Sequence, residues 1–365
     1  MRKIISIILL IIIMCSSGAT FAQNLNEDKI TLIINGNVMN LDQPPMIIDN
    51  RVLHPIRAVL EELGCCVFYN ETTKTIDVLH GENNVSLFIG EKSMSVNYEE
   101  KEIDVAPTIY NNRTLVPIRA VSEALGADVK WYEDTKTVSI NLEQGEHKIR
   151  SKSIEKKVKN ENGIILMSCV CTYPSIENLE NNSYINEINE YYQTNAENFM
   201  NDKNADDLNY WKDFVGDIED YPYIEYGPPV TFELYYNINT DKDGILSITD
   251  HIIYYYGGAH PNSVKESKTF DLKREREVTL EDVLQCNKSE RHNKVYDLFL
   301  KYLKEHPEDV WAESASLLNE EVDYVNFFLT DNSIILNLPI YSIAPYSIGY
   351  PTVEIPYSKE LFGIN

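Results

Sequence analysis

Positive charge is what this sequence has little of: 32 lysines and arginines face 57 aspartates and glutamates, a formal charge of −25 over 365 residues. A nucleic-acid binder needs a basic stripe to displace counterions from phosphate, and no such stripe occurs. A basic protein partner or divalent cations would be attracted instead. Paired cysteine is missing too. Beyond Cys15, Cys65 and Cys66 adjoin, Cys169 and Cys171 lie two apart, and Cys286 stands alone. The odd count and the lack of Cys-x-x-Cys argue against a disulfide framework and a structural zinc site; small buried hydrophobes, with room for one bridge, are expected. Long apolar runs are confined to Ile4–Met14, which follows Arg2 and Lys3 and precedes the small-x-small site Thr20-Phe21-Ala22. The run is short for a membrane span, so residues 1–22 read as a signal peptide cleaved after Ala22, and the mature protein as secreted or cell-surface-associated. Cys15 as a lipoprotein anchor is disfavoured, because Met14 precedes it where a small residue is wanted.

What is abundant is apolar and aromatic: 43% apolar residues and 24 tyrosines, enough for large cores and against global disorder. The chain also writes one stretch twice. RVLHPIRAVLEELG at 51–64 returns as RTLVPIRAVSEALG at 113–126, and residues 33–78 match 95–140 at about 20 of 46 positions without a gap. Each copy reads as a folding unit. Short strands Thr31–Ile34 and Ser93–Val96 meet tight turns at Asn35-Gly36 and Asn97-Tyr98. Pro45 and Pro107 break the pairing, and Asn50-Arg51 and Asn112-Arg113 make second turns. Pro55 and Pro117 open helices at their first position. Ile56, Val59, Leu60 and Leu63 form one apolar face, repeated by Ile118, Val121 and Leu125. Gly64 and Gly126 stop the helices. Hairpins follow around Glu71–Lys74 and Glu133–Lys136. Arg51, Arg57, Arg113 and Arg119 recur; they either bind a ligand or, the favoured reading, cap carbonyls and pair with local carboxylates. The repeat carries no nucleophile or general base, and reads as scaffold.

These words, R-x-L-x-P-I-R-A-V-x-E-x-L-G with its flanking N-G, V-x-aromatic and T-K-T, resemble the copper amine oxidase N-terminal (stalk) domain family, over about 30–141 in two repeats, 30–79 and 86–141. The resemblance implies an α+β module of exported, surface-associated proteins, outside any oxidase catalytic unit. Copper chemistry lacks its residues. Asn97-Tyr98-Glu99-Glu100 approaches a quinone-forming motif but falls on a hairpin turn, and the histidines (His54, His80, His147, His251, His260, His292, His306) include no His-x-His.

Residues 142–160, rich in Lys and Glu, read as a linker into a second domain over 161–365. There, strands are expected at 164–173, 230–238, 245–256 and 352–355, a hairpin over 326–338 about Asp331-Asn332, and helices over 184–200, around 295–303 and over 308–318: an antiparallel sheet with helices. The whole chain is thus expected to be α+β, two tandem strand-helix-hairpin repeats followed by an antiparallel-sheet-plus-helices domain. Tyr255-Tyr256-Gly257-Gly258-Ala259-His260-Pro261, Phe328-Leu329-Thr330-Asp331, and Tyr341-Ser342-Ile343-Ala344-Pro345-Tyr346 with Ile355-Pro356-Tyr357 resemble the exported domain pair of lysozyme-sensing anti-sigma factors and of peptidoglycan deacetylases, outside their catalytic domain. Tyr256 stands where that family usually has Thr. The resemblance implies binding: neither an Asp-Asp pair nor the His-x-x-x-His of the deacetylase metal site occurs.

Three candidate sites follow. Asn239, Asp241, Asp243, Ser247 and Asp250, with Gly244 at the bend, fit a calcium-loop template, but Asp243-Gly244 equally makes a polar hairpin turn, the favoured reading. His260 is read as a structural histidine at a strand end, or as a general base without a nearby nucleophile. Pro339, Tyr341, Pro345 and Tyr346 form a rigid aromatic loop, either core packing or a partner-binding edge. The function expected is a non-catalytic envelope protein that binds or senses peptidoglycan or a basic lysozyme-type enzyme, without cofactor unless calcium binds. The alternatives are a deacetylase or hydrolase with an unfamiliar site, and a plain spacer.

Overall fold

The computed structural model describes residues 30–81, 83–178, 180–201, 230–257 and 259–357. The leader-like segment with Cys15, and the last residues of the second half, lie outside them. The chain is α+β.

The first repeat supplies β1 (Thr31–Ile34), β2 (Asn37–Val38), β3 (Met46–Ile48), β4 (Arg51–Pro55), α1 (Ile56–Leu60), β5 (Cys66–Asn70) and β6 (Thr75–His80). A strand β7 (Asn83–Phe88) leads into the second copy: β8 (Ser93–Val96), β9 (Glu99–Glu102), β10 (Thr108–Tyr110), β11 (Arg113–Pro117), α2 (Ile118–Ala124), β12 (Asp128–Tyr132) and β13 (Thr137–Asn141). The local signals act as read. Asn35, Gly36, Asn97 and Tyr98 all take positive φ at hairpin tips, and Gly64 (φ 80°) and Gly126 (φ 93°) end the helical turns. Two details shift by one residue. The second turns centre on Asp49-Asn50 and Asn111-Asn112, which carry the positive φ. Pro55 and Pro117 end the preceding strands and cap the helices rather than open them.

The repeats are not two bodies side by side. β1 of the first copy pairs in parallel with β13 of the second, in the sheet β12-β13-β1-β2. The hairpin β8–β9 of the second copy joins the first copy's hairpin through β7, in the sheet β5-β6-β7-β8-β9. A central sheet, β10-β11-β4-β3, is shared equally. Its inner pair aligns Leu53 with Pro117, His54 with Val116, and Pro55 with Leu115. Leu53 and Leu115, like Pro55 and Pro117, are equivalent residues, so an approximate two-fold axis passes between His54 and Val116. One core holds both helical faces, with Val59, Leu60, Leu63 and Val121 fully buried.

The segment 142–160 is not a linker. Ile149–Lys159 is an eleven-residue strand, β14, which opens a six-stranded sheet running β14 to β19 in order. The others are β15 (Ile165–Ile176), β16 (Val230–Lys242), β17 (Ile245–Tyr255), β18 (Asn262–Asp271) and β19 (Arg276–Glu277); only β15 and β16 run parallel. Sparse apolar residues suit β14 because it is an edge strand, and lysines there discourage pairing with a foreign edge. This strand and Lys148 just before it tie the two halves together: Lys148 and Arg150 each reach Glu62 at 2.7 Å, Lys157 reaches Glu71 at 2.9 Å, and the Ser151 amide donates to the Glu61 carbonyl at 2.8 Å.

The helix α3 (Ser183–Asn201) buries Ile185, Ile188, Tyr192, Ala196 and Met200 against this sheet, in a core that also takes in Cys66 and Phe68 from β5. A second core joins α4 (Leu280–Leu284), α5 (Lys288–Glu305) and α6 (Ser314–Glu321) to the three-stranded sheet of β20 (Asn326–Leu329), β21 (Ser333–Asn337) and β22 (Thr352–Pro356). The helix expected at 308–318 begins at Ser314, because the Trp311 amide and the Ser314 hydroxyl both donate to the Ile343 carbonyl and hold the preceding residues in turns. Cys65, Cys66, Cys169, Cys171 and Cys286 are free thiols, the first four buried. Burial pushes the Cys66 thiol up to about 12, which leaves it inert rather than nucleophilic.

Candidate functional site

Two phrases 81 residues apart meet on one surface. Past the end of β17, His260 lies with its ring stacked on Tyr346, centroids 3.7 Å apart, and its Nε2 2.9 Å from the Tyr341 hydroxyl. Its Nδ1 is 3.0 Å from the Pro261 carbonyl. Tyr341 holds φ at 64° although it is not glycine, and 44% of its surface is exposed. A bulky residue fixed in the left-handed region carries strain that the surroundings must enforce. Pro345 caps the 3-10 turn Tyr346–Ile348 that presents Tyr346.

Pro339 belongs to the wall of a cleft of about 480 Å³ alongside. The cleft runs along the edge of β18, which sequence periodicity did not reveal: Asn262–Asp271 is polar except at Val264 and Phe270, and Ser263 to Lys268 line the cleft in succession, so no apolar stripe marks it. Its walls also include Tyr191 and Tyr192 of α3 and Tyr350. The Tyr350 hydroxyl donates to Ser263 at 2.9 Å, and Lys265 sits 4.6 Å over the Tyr350 ring. Lys268 lies 5.0 Å over the Tyr191 ring and bonds Glu277. Asn326 clamps the strand, accepting from the Ser267 amide and donating to the Ser267 hydroxyl.

Asp250 lines this cleft and is 4% exposed. The strand register places it between Tyr236 and Glu266. One carboxylate oxygen takes a long, 3.4 Å bond from Asn195; the other has no partner. Burial, and secondarily the neighbouring Glu266, push its carboxyl up to about 7. A carboxyl in that state can donate a hydrogen bond as well as accept one.

The calcium template is not assembled. Asp243 (φ 57°) and Gly244 (φ 81°) form the two-residue turn joining β16 to β17, so the remaining positions lie along paired strands. Asp241 accepts the His147 amide at 2.6 Å and stands 2.7 Å from its Nδ1; Asn239 donates to Thr249; the Ser247 hydroxyl lies 2.8 Å from the Thr269 hydroxyl; Asp250 faces the cleft. A ligating loop needs its side chains turned to one centre, and a paired strand sends alternate ones to opposite faces. Among the described residues no cluster of three or more His, Cys, Asp or Glu is arranged to hold a metal. Arg51 and Arg57 pair with Asp104 and Glu61 at 2.6 and 3.1 Å, and Arg113 with Asp42.

A pseudo-symmetric stalk module fused to a sheet-and-helix domain with an aromatic cleft defines the class of molecule. Three family models match the chain: the copper amine oxidase N-terminal domain over residues 33–140, Deacetylase PdaC over 152–263, and a protein family of unknown function, DUF3298, over 281–358. That is the domain composition the sequence resemblances implied. The PdaC and DUF3298 matches relate the chain to cell-envelope proteins. A protein described as a protease inhibitor from Brevibacillus choshinensis is 28% identical over 148 residues, 40% of this chain and 45% of its own length. Crystal structures of DUF3298 proteins from Bacteroides fragilis and Pseudomonas aeruginosa superpose with TM-scores of 0.40 and 0.36, at 16% and 15% identity. They cover 60% and 57% of this chain and 92% and 90% of their own.

Proposed function

We propose that this is an exported, non-catalytic cell-envelope protein that binds cell-wall glycan in the β18 cleft, with the His260–Tyr341–Tyr346 edge as its rim. The observation that carries the reading is the convergence of three rings from two separate phrases on one exposed surface, with Pro339, two residues before Tyr341, in the wall of a cleft of about 480 Å³. Tyrosine faces suit the apolar face of a sugar ring, and Ser263, Asn326, the lysines and Asp250, with one carboxylate oxygen unpartnered, suit its hydroxyl and acetamido groups. Strain held at Tyr341 supports a binding role, since strained residues cluster at ligand clamps. His260 is partnered by tyrosines and a carbonyl rather than by a carboxylate and a nucleophile, which favours binding over hydrolysis or deacetylation.

Soluble peptidoglycan fragments titrated into the mature protein should bind, and Tyr341→Ala and Tyr346→Ala should each weaken Kd at least tenfold. Unchanged affinity in both variants removes this site. Saturable binding of a basic lysozyme, lost in the same variants while glycan is ignored, would transfer the site to the enzyme, a partner the charge of −25 would also steer. Released acetate or reducing ends that stop on His260→Ala would make the protein a catalyst.

A further inference from the structure

The six-stranded sheet is unfinished at the cleft. β18 pairs with β17 along its whole length, but on its outer side β19 joins it only at Phe270 and Asp271. No described strand pairs with the rest of that side. Two bonds fix which backbone groups point outward. The Ser267 amide donates to the Asn326 side-chain oxygen at 2.8 Å, and the Thr269 carbonyl accepts the Val278 amide at 2.8 Å. Along an antiparallel strand the bonding groups of successive residues point to opposite sides, and the β17–β18 register has no shift. The amides and carbonyls of Ser263 and Lys265 therefore point the same way as those of Ser267, out of the sheet edge. Ser263 to Lys268 line the cleft in succession, so these groups open into it. At Ser267 the Asn326 side chain does what a neighbouring strand's carbonyl would do. Among the described residues nothing does so at Ser263 and Lys265.

Side chains alternate as well: Ser263, Lys265 and Ser267 leave one face of the strand, and Val264, Glu266 and Lys268 the other. On the first face Lys265 lies 4.6 Å over the Tyr350 ring, and no described carboxylate pairs with it. Burial holds its pKa below the usual lysine value. On the second face Lys268 bonds both oxygens of Glu277, at 2.8 and 2.9 Å, and Glu266 stands opposite Asp250. Unpartnered positive charge in the cleft is thus confined to the Lys265 face. The charge of −25 spread over the chain does little to an anion there, since salt screens exposed charges within about 10 Å at 0.1 M.

A sugar's hydroxyls have no repeat that matches a strand edge. An extended peptide has one: its amides and carbonyls recur on the same side every two residues, about 6.8 Å, and Ser263 to Ser267 span about 14 Å of edge. We propose that β18 takes up an extended peptide as a further strand, one carboxylate facing Lys265, and that this is the peptide carried by the cell-wall glycan. The inference rests on the glycan reading and divides its ligand in two. The sugar lies at the His260–Tyr341–Tyr346 rim and the peptide along the edge. Main-chain pairing supplies affinity, and Lys265 supplies selection through a charge-assisted bond.

Three probes titrated calorimetrically into the intact protein test this: a cell-wall disaccharide carrying its peptide, the same disaccharide without it, and the peptide-bearing form with its carboxylates amidated. The first should bind at least tenfold more tightly than either of the others. Lys265→Met should abolish that advantage and leave the peptide-free sugar within twofold. Methylating the peptide's amide nitrogens one at a time needs no variant of the protein. Those facing β18 should lose at least tenfold in affinity, and the alternate ones should not. Equal affinity for the sugar with and without peptide overturns the inference, and a persisting loss on Tyr341→Ala would then leave the glycan reading standing. Equal weakening of both by Lys265→Met, or indifference to every N-methyl group, overturns it too. Failure of every probe to bind overturns both readings.

Discussion

At the scale of single residues, His54 departs most from its surroundings. It sits on the two-fold axis, is fully buried, and has no partner for either ring nitrogen. Burial drives its pKa down to about 4 from an ordinary 6.5. The fold thus prefers neutral imidazole. Stability from this group is fully present above pH 6.5 and is lost as pH falls through 4, about 3 kcal/mol across the window. The twin position already holds Val116, so His54→Val should raise stability by 1 kcal/mol or more, since buried unpaired polar atoms cost about that. It should also flatten the acid limb: urea unfolding between pH 4 and 7 should show a smaller loss in the variant than in the wild type. The sequence displays His54 against Val116 plainly. Its burial was not legible, because pairing across the axis depends on two copies meeting.

Among elements, the twin glycines offer an internal control. Both take left-handed φ, so Gly126→Ala should cost about 1 kcal/mol of backbone strain alone. Gly64→Ala adds a collision with the Ile149 carbonyl and should cost about 2–3 kcal/mol, read from paired denaturant curves. Equal losses would mean that β14 does not press on the first copy. Helix faces, hairpin turns and glycine stops were legible because they are local: Ile56, Val59, Asn97 and Gly126 act within a few residues. What escaped was pairing. β18 carries no apolar stripe, as one side of it faces the cleft and the other a polar neighbour such as Thr249 or Ser247. β14 looked like a linker because lysines and glutamates dominate it, and their partners Glu62 and Glu71 lie in the preceding module.

For the whole molecule, the interface makes one body of two modules. Phe68 meets Tyr235 edge-on at 6.0 Å, Glu146 accepts the amides of Asp243 and Gly244, and the Tyr236 hydroxyl reaches both Ser151 and the Gly64 carbonyl. Trypsin should therefore cut slowly at Lys152, Lys156, Lys157 and Lys159 in the native protein, with protection lost in a single step alongside global unfolding. Rapid cleavage there, leaving two resistant fragments, would restore a flexible joint. The candidate site was legible in part. Pro339, Tyr341, Pro345, Tyr346 and His260 could each be picked from the text, but the cleft beside them, with Asp250 beneath α3, arises only when β17 and β18 pair.

The exchange of strands between the two copies has a temporal consequence. β1 waits for β13, roughly a hundred residues later, before its edge is closed, and contacts so distant in sequence slow folding. Half of this module is not a smaller version of it: translation must deliver the second copy before the first can rest. A solitary copy would find closure only in another chain, so the gene writes within one polypeptide what would otherwise be an obligate pair of subunits.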